Sequence, residues 1–120
     1  MLKSDAGDGS RETVRLVLVS AADLARLEQF VRAYYVEDGH SFDENRQPAA
    51  LTALAAGEPF GRAWLIEHDG RRVGYVVLCW GFSVEAGGRE ACLDEFYLLP
   101  EVRNRGLRRS PCALRSRLVA

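Results

Sequence analysis

A chain of 120 residues, 48% of them hydrophobic, has the length of one domain and enough apolar content for a modest core, which excludes disorder throughout. Its 16 Lys and Arg against 17 Asp and Glu give a formal charge of -1, without the basic excess or interleaved aromatics of a nucleic-acid binder. No run approaches the roughly 18 consecutive apolar residues of a membrane span, and the polar stretch 1–12 carries no signal-peptide pattern and reads as a disordered tail.

The small net charge hides an asymmetry, because residues 101–120 hold six Arg against one Glu, which marks that end as a candidate contact for an anion. Cys79, Cys92 and Cys112 are odd in number, and none sits in a Cys-x-x-Cys or Cys/His cluster with metal-ligand spacing. Reduced thiols in a cytoplasmic protein are the simple expectation. Cys79 and Cys92 fall in strand-like runs that can pair, so a disulfide is conceivable, with apolar filling as the alternative.

In chain order, TVRLVLV at 13–19 is β-branched and partly alternates around Arg15, the pattern of a first strand. Ser20-x-x-Asp23 is a variant of the capping box, and Leu24, Leu27, Val31, Tyr34 and Tyr35 lay one apolar stripe along a helix at 21–36. Gly39 to Asn45 is turn chemistry. Pro48 suits a first helical turn, Ala50, Leu51, Leu54 and Ala55 follow, and Gly57 stops a second helix of about three turns. RAWLIEH (62–68) and RRVGYVVLCWGF (71–82) flank Asp69-Gly70, a dipeptide that favours a type I′ hairpin. Ala86-Gly87-Gly88 turns the chain again, and REACLDEFYLL (89–99) is a fourth strand ended by Pro100. Trp64, Tyr75, Trp80 and Phe82 are expected to pack the sheet, and His68, beside the hairpin turn, to lie at the surface. The order β-α-α-β-β-β predicts an α/β fold of the α+β type, a mainly antiparallel sheet with flanking helices over residues 13–107.

The stretch that carries chemistry is Asp94 to Leu107. A strand runs out at Pro100, and the short turn Arg103-Asn104-Arg105-Gly106 then leads toward a further helix. Free amides at a helix start, the positive end of the helix dipole and a glycine that lets the backbone approach closely together bind phosphate, and a pyrophosphate is the natural ligand.

Here the chain resembles the GNAT superfamily of N-acetyltransferases, whose acetyl-coenzyme A loop follows the fourth strand with the pattern Arg/Gln-x-x-Gly-x-Gly/Ala. Arg103, Asn104, Arg105, Gly106 and Leu107 match its first five positions, Glu95-Phe96-Tyr97-Leu98-Leu99-Pro100-Glu101 is similar to the family's strand ending, and the upstream element order agrees. The resemblance implies acetyl transfer to a primary amine by direct attack on the thioester. It also implies a bulged fourth strand whose amides at Phe96 and Leu98 bond the pantetheine and thioester carbonyl, with the pyrophosphate on the loop from Arg103 to Arg108. Donors aimed at that carbonyl stabilise the developing oxyanion. The attacking amine must be neutral, so a general base is expected near the strand, and Glu95 is the candidate. A salt bridge from Glu95 to a neighbouring Arg is the structural alternative. Asp94 and Glu95, adjacent on a strand, are expected to point to opposite faces, leaving Asp94 structural. Tyr34, Tyr35, Glu37, Asp38 and His40 enter the loop that covers the acceptor pocket in the family. Tyr34 and Glu37 are candidate substrate contacts, against core packing for Tyr34 and a solvated helix end for Glu37. Neither His has a partner suggesting a metal site or triad.

The pattern fails at Arg108, where the family has Gly or Ala. The basic tail 108–120 contains Pro111 within the expected helix and shows none of the family's later strands. A shortened chain or a reading-frame slip near Leu107 would each account for this. An incomplete fold leaves the fourth strand as an apolar edge, so self-association through that edge is expected. A non-catalytic module that binds coenzyme A or a partner is the alternative function.

Overall fold

The Asp69-Gly70 turn sets where the two strands flanking it begin to pair, and a bulge at Val73 shifts the register beyond Glu67. In the computed structural model, which describes residues 13–103 and 118–119, Asp69 and Gly70 take φ of 52° and 81°. Positive values at both central positions are those of a type I′ turn. They place His68 opposite Arg71, joining strand β2 (Gly61–His68) to β3 (Arg71–Ser83). Strand β1 (Val14–Leu18) pairs antiparallel with β2, and β4 (Gly88–Leu98) pairs antiparallel with β3. A two-residue strand β5 (Leu118–Val119) pairs with β4 at Ala91 and Glu90, within the stretch expected to be an off-pattern tail. The sheet order is β1-β2-β3-β4-β5. The expected tail at 1–12 and the residues 104–117 lie outside the described residues.

Two helices cover one face. The Ser20 amide bonds the Asp23 carboxylate at 3.0 Å, so the capping box forms, but Ala21–Asp23 is a 3-10 turn, and helix α1 proper runs Leu24–Asp38. Gly39, at φ 75°, ends it in the left-handed conformation that glycine adopts without penalty. Helix α2 spans Arg46–Ala56, beginning two residues before Pro48 because Asp43 accepts the Asn45 and Arg46 amides at 2.8 Å each. Val19, Leu27, Phe30, Val31, Leu51, Ala63, Leu65, Tyr75, Val77 and Tyr97 form the main core between these helices and the sheet. Burial of a side chain such as Leu27 or Leu65, both fully enclosed, contributes about 1.5–3 kcal/mol.

The opposite face carries a smaller cluster of Ile66, Val73, Leu98 and Val102, with Val102 supplied by a single helical turn, α3 (Pro100–Val102). Two expectations change here. His68 is buried, because β1 lies beside it with Val14 opposite, so the residue before the turn is interior to the sheet. Phe82 is 76% exposed near the end of β3, where it runs past the helices, and does not pack the sheet.

Gly74 is required where β3 meets the end of β4. A Cβ there would fall 2.0 Å from the Tyr97 carbonyl oxygen, so only glycine permits this approach.

Candidate functional site

The chemistry-bearing residues converge on β4. Its pairing with β3 runs Val77 opposite Glu95 and then Leu78 opposite Leu93, so Asp94 is an extra residue and β4 is bulged. A bulge interrupts period-two alternation and re-aims side chains. Asp94 is exposed, whereas Glu95 is partly buried.

Beyond the bulge the pairing is regular, and the directions of its amides follow from one bond. Leu99 donates its amide to the Val73 carbonyl at 2.8 Å. In an antiparallel pair the groups aimed at the partner alternate, so Tyr97 turns its amide toward β3, whereas Phe96 and Leu98 turn theirs to the other edge. The Leu98 carbonyl agrees, since it accepts Arg103 Nε at 2.8 Å on that edge. Beside residues 92–98 no further strand is present among the described residues.

Glu95 faces α1. Its Oε1 accepts the Tyr75 hydroxyl and its Oε2 the Tyr35 hydroxyl, each at 2.8 Å, so among the described residues its partners are two tyrosines and not an arginine. Burial pushes the Glu95 carboxyl above the ordinary carboxylate range; the two hydroxyls and His40 pull it down, and Asp94 adds to the rise. Burial and the neighbouring Glu95 charge push both tyrosine hydroxyls up, so they remain protonated donors.

Arg103 is held within the protein. Its amide bonds the Pro100 carbonyl, its Nε the Leu98 carbonyl, and one terminal nitrogen the Glu37 carboxylate at 2.7 Å. Its guanidinium lies 5.4 Å from the Tyr97 ring centroid. Arg103 therefore ties the end of α1 to the end of β4, and Glu37 is occupied by that tie. Tyr34 lies among Tyr35, Tyr75, Tyr97 and His40, with centroids 5.7 to 6.4 Å away, an aromatic cluster behind Glu95. Asn104, Arg105, Gly106, Leu107 and Arg108 lie outside the described residues. Sequence reasoning did not single out the hydroxyls of Tyr35 and Tyr75 as a pair. Tyr35 is 60 residues from Glu95 and Tyr75 is 20 away, so only the register and the helix placement bring them together.

Cys79 and Cys92 are free thiols directly opposite one another on β3 and β4. Among the described residues no group of three His, Cys, Asp or Glu could hold a metal, and no helix is long and apolar enough to cross a membrane.

Comparison with known proteins agrees with this geometry. A model of the Acetyltransferase (GNAT) family matches residues 24–109. No curated protein matches the sequence. An integron cassette protein from the mobile metagenome of Cole Harbour Salt Marsh is similar at 33% identity and a TM-score of 0.69, over 77% of this chain and 60% of that one. A possible acetyltransferase from Clostridium difficile 630 shares the fold at 18% identity and a TM-score of 0.68, over 78% of this chain and 62% of that one. Ribosomal-protein-alanine N-acetyltransferase from Brucella melitensis biovar Abortus 2308 does so at 18% identity and 0.59, over 80% and 64%. The chain thus spans less than two thirds of the length of each.

Proposed function

This chain belongs to the GNAT acetyltransferase family, and from that premise we propose that it binds acetyl-coenzyme A along the open edge of β4 and transfers the acetyl group to a primary amine. The observation that carries the proposal is the outward direction of the Phe96 and Leu98 amides beside a bulge, with the Glu95 carboxylate on the same strand. Such amides fit the polar groups of a pantetheine arm, and residues 104–108 are the proposed seat of the pyrophosphate, since the Arg103 amide and side chain are already bonded within the protein. The cosubstrate supplies an activated acyl thioester. Glu95 accepts a proton from the incoming ammonium, the freed amine forms the C–N bond, and the C–S bond breaks as the coenzyme thiolate leaves and takes up the proton shed by the acylated nitrogen. Outward amides on β4 stabilise the negative charge that develops on the carbonyl oxygen. Tyr34 and Glu37 border the acceptor side, Tyr34 as aromatic wall and Glu37 through its tie to Arg103.

The test is release of coenzyme A thiol from acetyl-coenzyme A with a panel of small amines and amino-terminal peptides, alongside calorimetric titration of the same cosubstrate. Turnover with at least one amine class supports the proposal. Binding without turnover points instead to a non-catalytic coenzyme-binding module. Neither binding nor turnover removes both.

A further inference from the structure

Glu95 receives one hydroxyl on each oxygen, from two different elements. Tyr75 comes from β3, is fully enclosed, and has the Tyr34 and Tyr97 rings 6.4 and 6.3 Å from its own, so its hydroxyl has nowhere to swing. Tyr35 comes from the last turns of α1, is half-buried, and touches Tyr34, His40 and Phe42 edge-on near the loop that follows. A buried tyrosine hydroxyl needs a partner, which alone would explain the Tyr75 bond. It does not explain why a second, less buried tyrosine meets the other oxygen of the same carboxylate. Each carboxylate oxygen accepts two hydrogen bonds, so one position on each remains for an incoming group.

We propose that Tyr75 and Tyr35 are positioning residues for Glu95, the first a fixed donor and the second an exchangeable one, which together aim the carboxylate at an acceptor amine. The inference rests on the proposed acetyl transfer and adds to it a division of labour within the site. Tyr75 fixes the plane of the carboxylate from below. Tyr35, on the side nearer solvent, marks the Oε2 position that an ammonium group takes by displacing or joining the hydroxyl. The titratable groups acting on Glu95 are Tyr35 from α1, His40 from the following loop, Tyr75 from β3 and the adjoining Asp94 on β4, with Tyr34 packed against both tyrosines.

The experiment compares Tyr75→Phe and Tyr35→Phe with wild type in the full 120-residue chain. The Glu95 carboxyl carbon is titrated by NMR, identified by its loss in Glu95→Gln, and the pH dependence of kcat/KM for amine acetylation is followed in parallel. Loss of either hydroxyl moves the Glu95 titration upward by about one pH unit, because a hydrogen bond to the ionised form is removed. The acid limb of kcat/KM moves with it. A titration unchanged within about 0.2 unit in both variants overturns the proposal, as does an acid limb that stays put while the carboxyl shifts. If wild type transfers no acetyl group, the functional reading fails by itself and the carboxyl titration still decides the positioning of Glu95. Should Tyr75→Phe not fold, the half-buried Tyr35→Phe carries the comparison.

Discussion

Replacing Gly74 by Ala tests how tightly β3 and the end of β4 are locked. The added Cβ would stand 2.0 Å from the Tyr97 carbonyl oxygen and 3.0 Å from the Leu98 Cα, whereas real Cβ atoms essentially never approach closer than 3.0 Å. The strands must therefore part by about 1 Å against an ordinary spacing of about 4.8 Å. Overpacking costs about 1–3 kcal/mol, and the upper part of that range applies because the obstacle is backbone and not a side chain that can rotate away. For a domain of this size the melting temperature then falls by about 10–20 °C. Gly81→Ala on the same strand is the control, since nothing lies within 4 Å of its Cβ and its φ is unexceptional. It should change stability by less than about 0.5 kcal/mol. Thermal unfolding followed by circular dichroism reads both. Gly74→Ala melting within about 2 °C of Gly81→Ala would refute the close approach, and with it the placement of the Phe96 and Leu98 amides that depends on this register.

Glu95→Gln should stabilise the protein while impairing it. Burial raises the folded-state Glu95 value above its ordinary 4.5, so wild type loses stability relative to the variant as pH rises through that raised value, and the difference vanishes below the ordinary one. Melting temperature against pH measures this, and acetylation should drop by about 100-fold or more at neutral pH. Arg103→Ala removes the bond to the Leu98 carbonyl and should cost about 1–2 kcal/mol in urea unfolding, whereas Glu37→Gln, which weakens only the half-exposed ion pair, should cost less than about 1 kcal/mol. Cys79 and Cys92 should not cross-link under mild oxidation. The Trp80 amide bonds the Phe60 carbonyl, which turns Cys79 toward β4 as a hydrogen-bonded pair with Cys92, where side chains stand further apart than at non-hydrogen-bonded positions. Peptide mapping should find no Cys79–Cys92 link.

Much of the scaffold is written locally. Asp69-Gly70 between two apolar runs predicts the hairpin, Gly39 and Gly57 end the two helices as left-handed caps, and Ser20 with Asp23 opens the first. Pro48 falls in the first turn of α2, as its residue type suggests, while Asp43 and Gln47 form the cap that starts the helix two residues earlier; Gln47 Oε1 accepts the Asp43 amide at 2.7 Å. The site is less legible. Alternation sends Asp94 and Glu95 to opposite faces; the family resemblance implies a bulge somewhere in this strand, and the pairing of Val77 with Glu95 and Leu78 with Leu93 places it at Asp94. Tyr75 and Tyr35 read as sheet and helix packing until long-range register brings both hydroxyls to one carboxylate. His68 reads as a turn flank until β1 is laid beside it. Each failure has the same physical source: a bulge, a register or a neighbouring strand is set by the fold as a whole, and no window of the sequence contains it.

The most direct measurement is the amide NMR spectrum of the 15N-labelled protein as acetyl-coenzyme A is added. The Phe96 and Leu98 resonances should move strongly, and that of Tyr97, whose amide is spent on β3, should move less. Saturating cosubstrate that leaves the Phe96 and Leu98 resonances where they were would contradict the account.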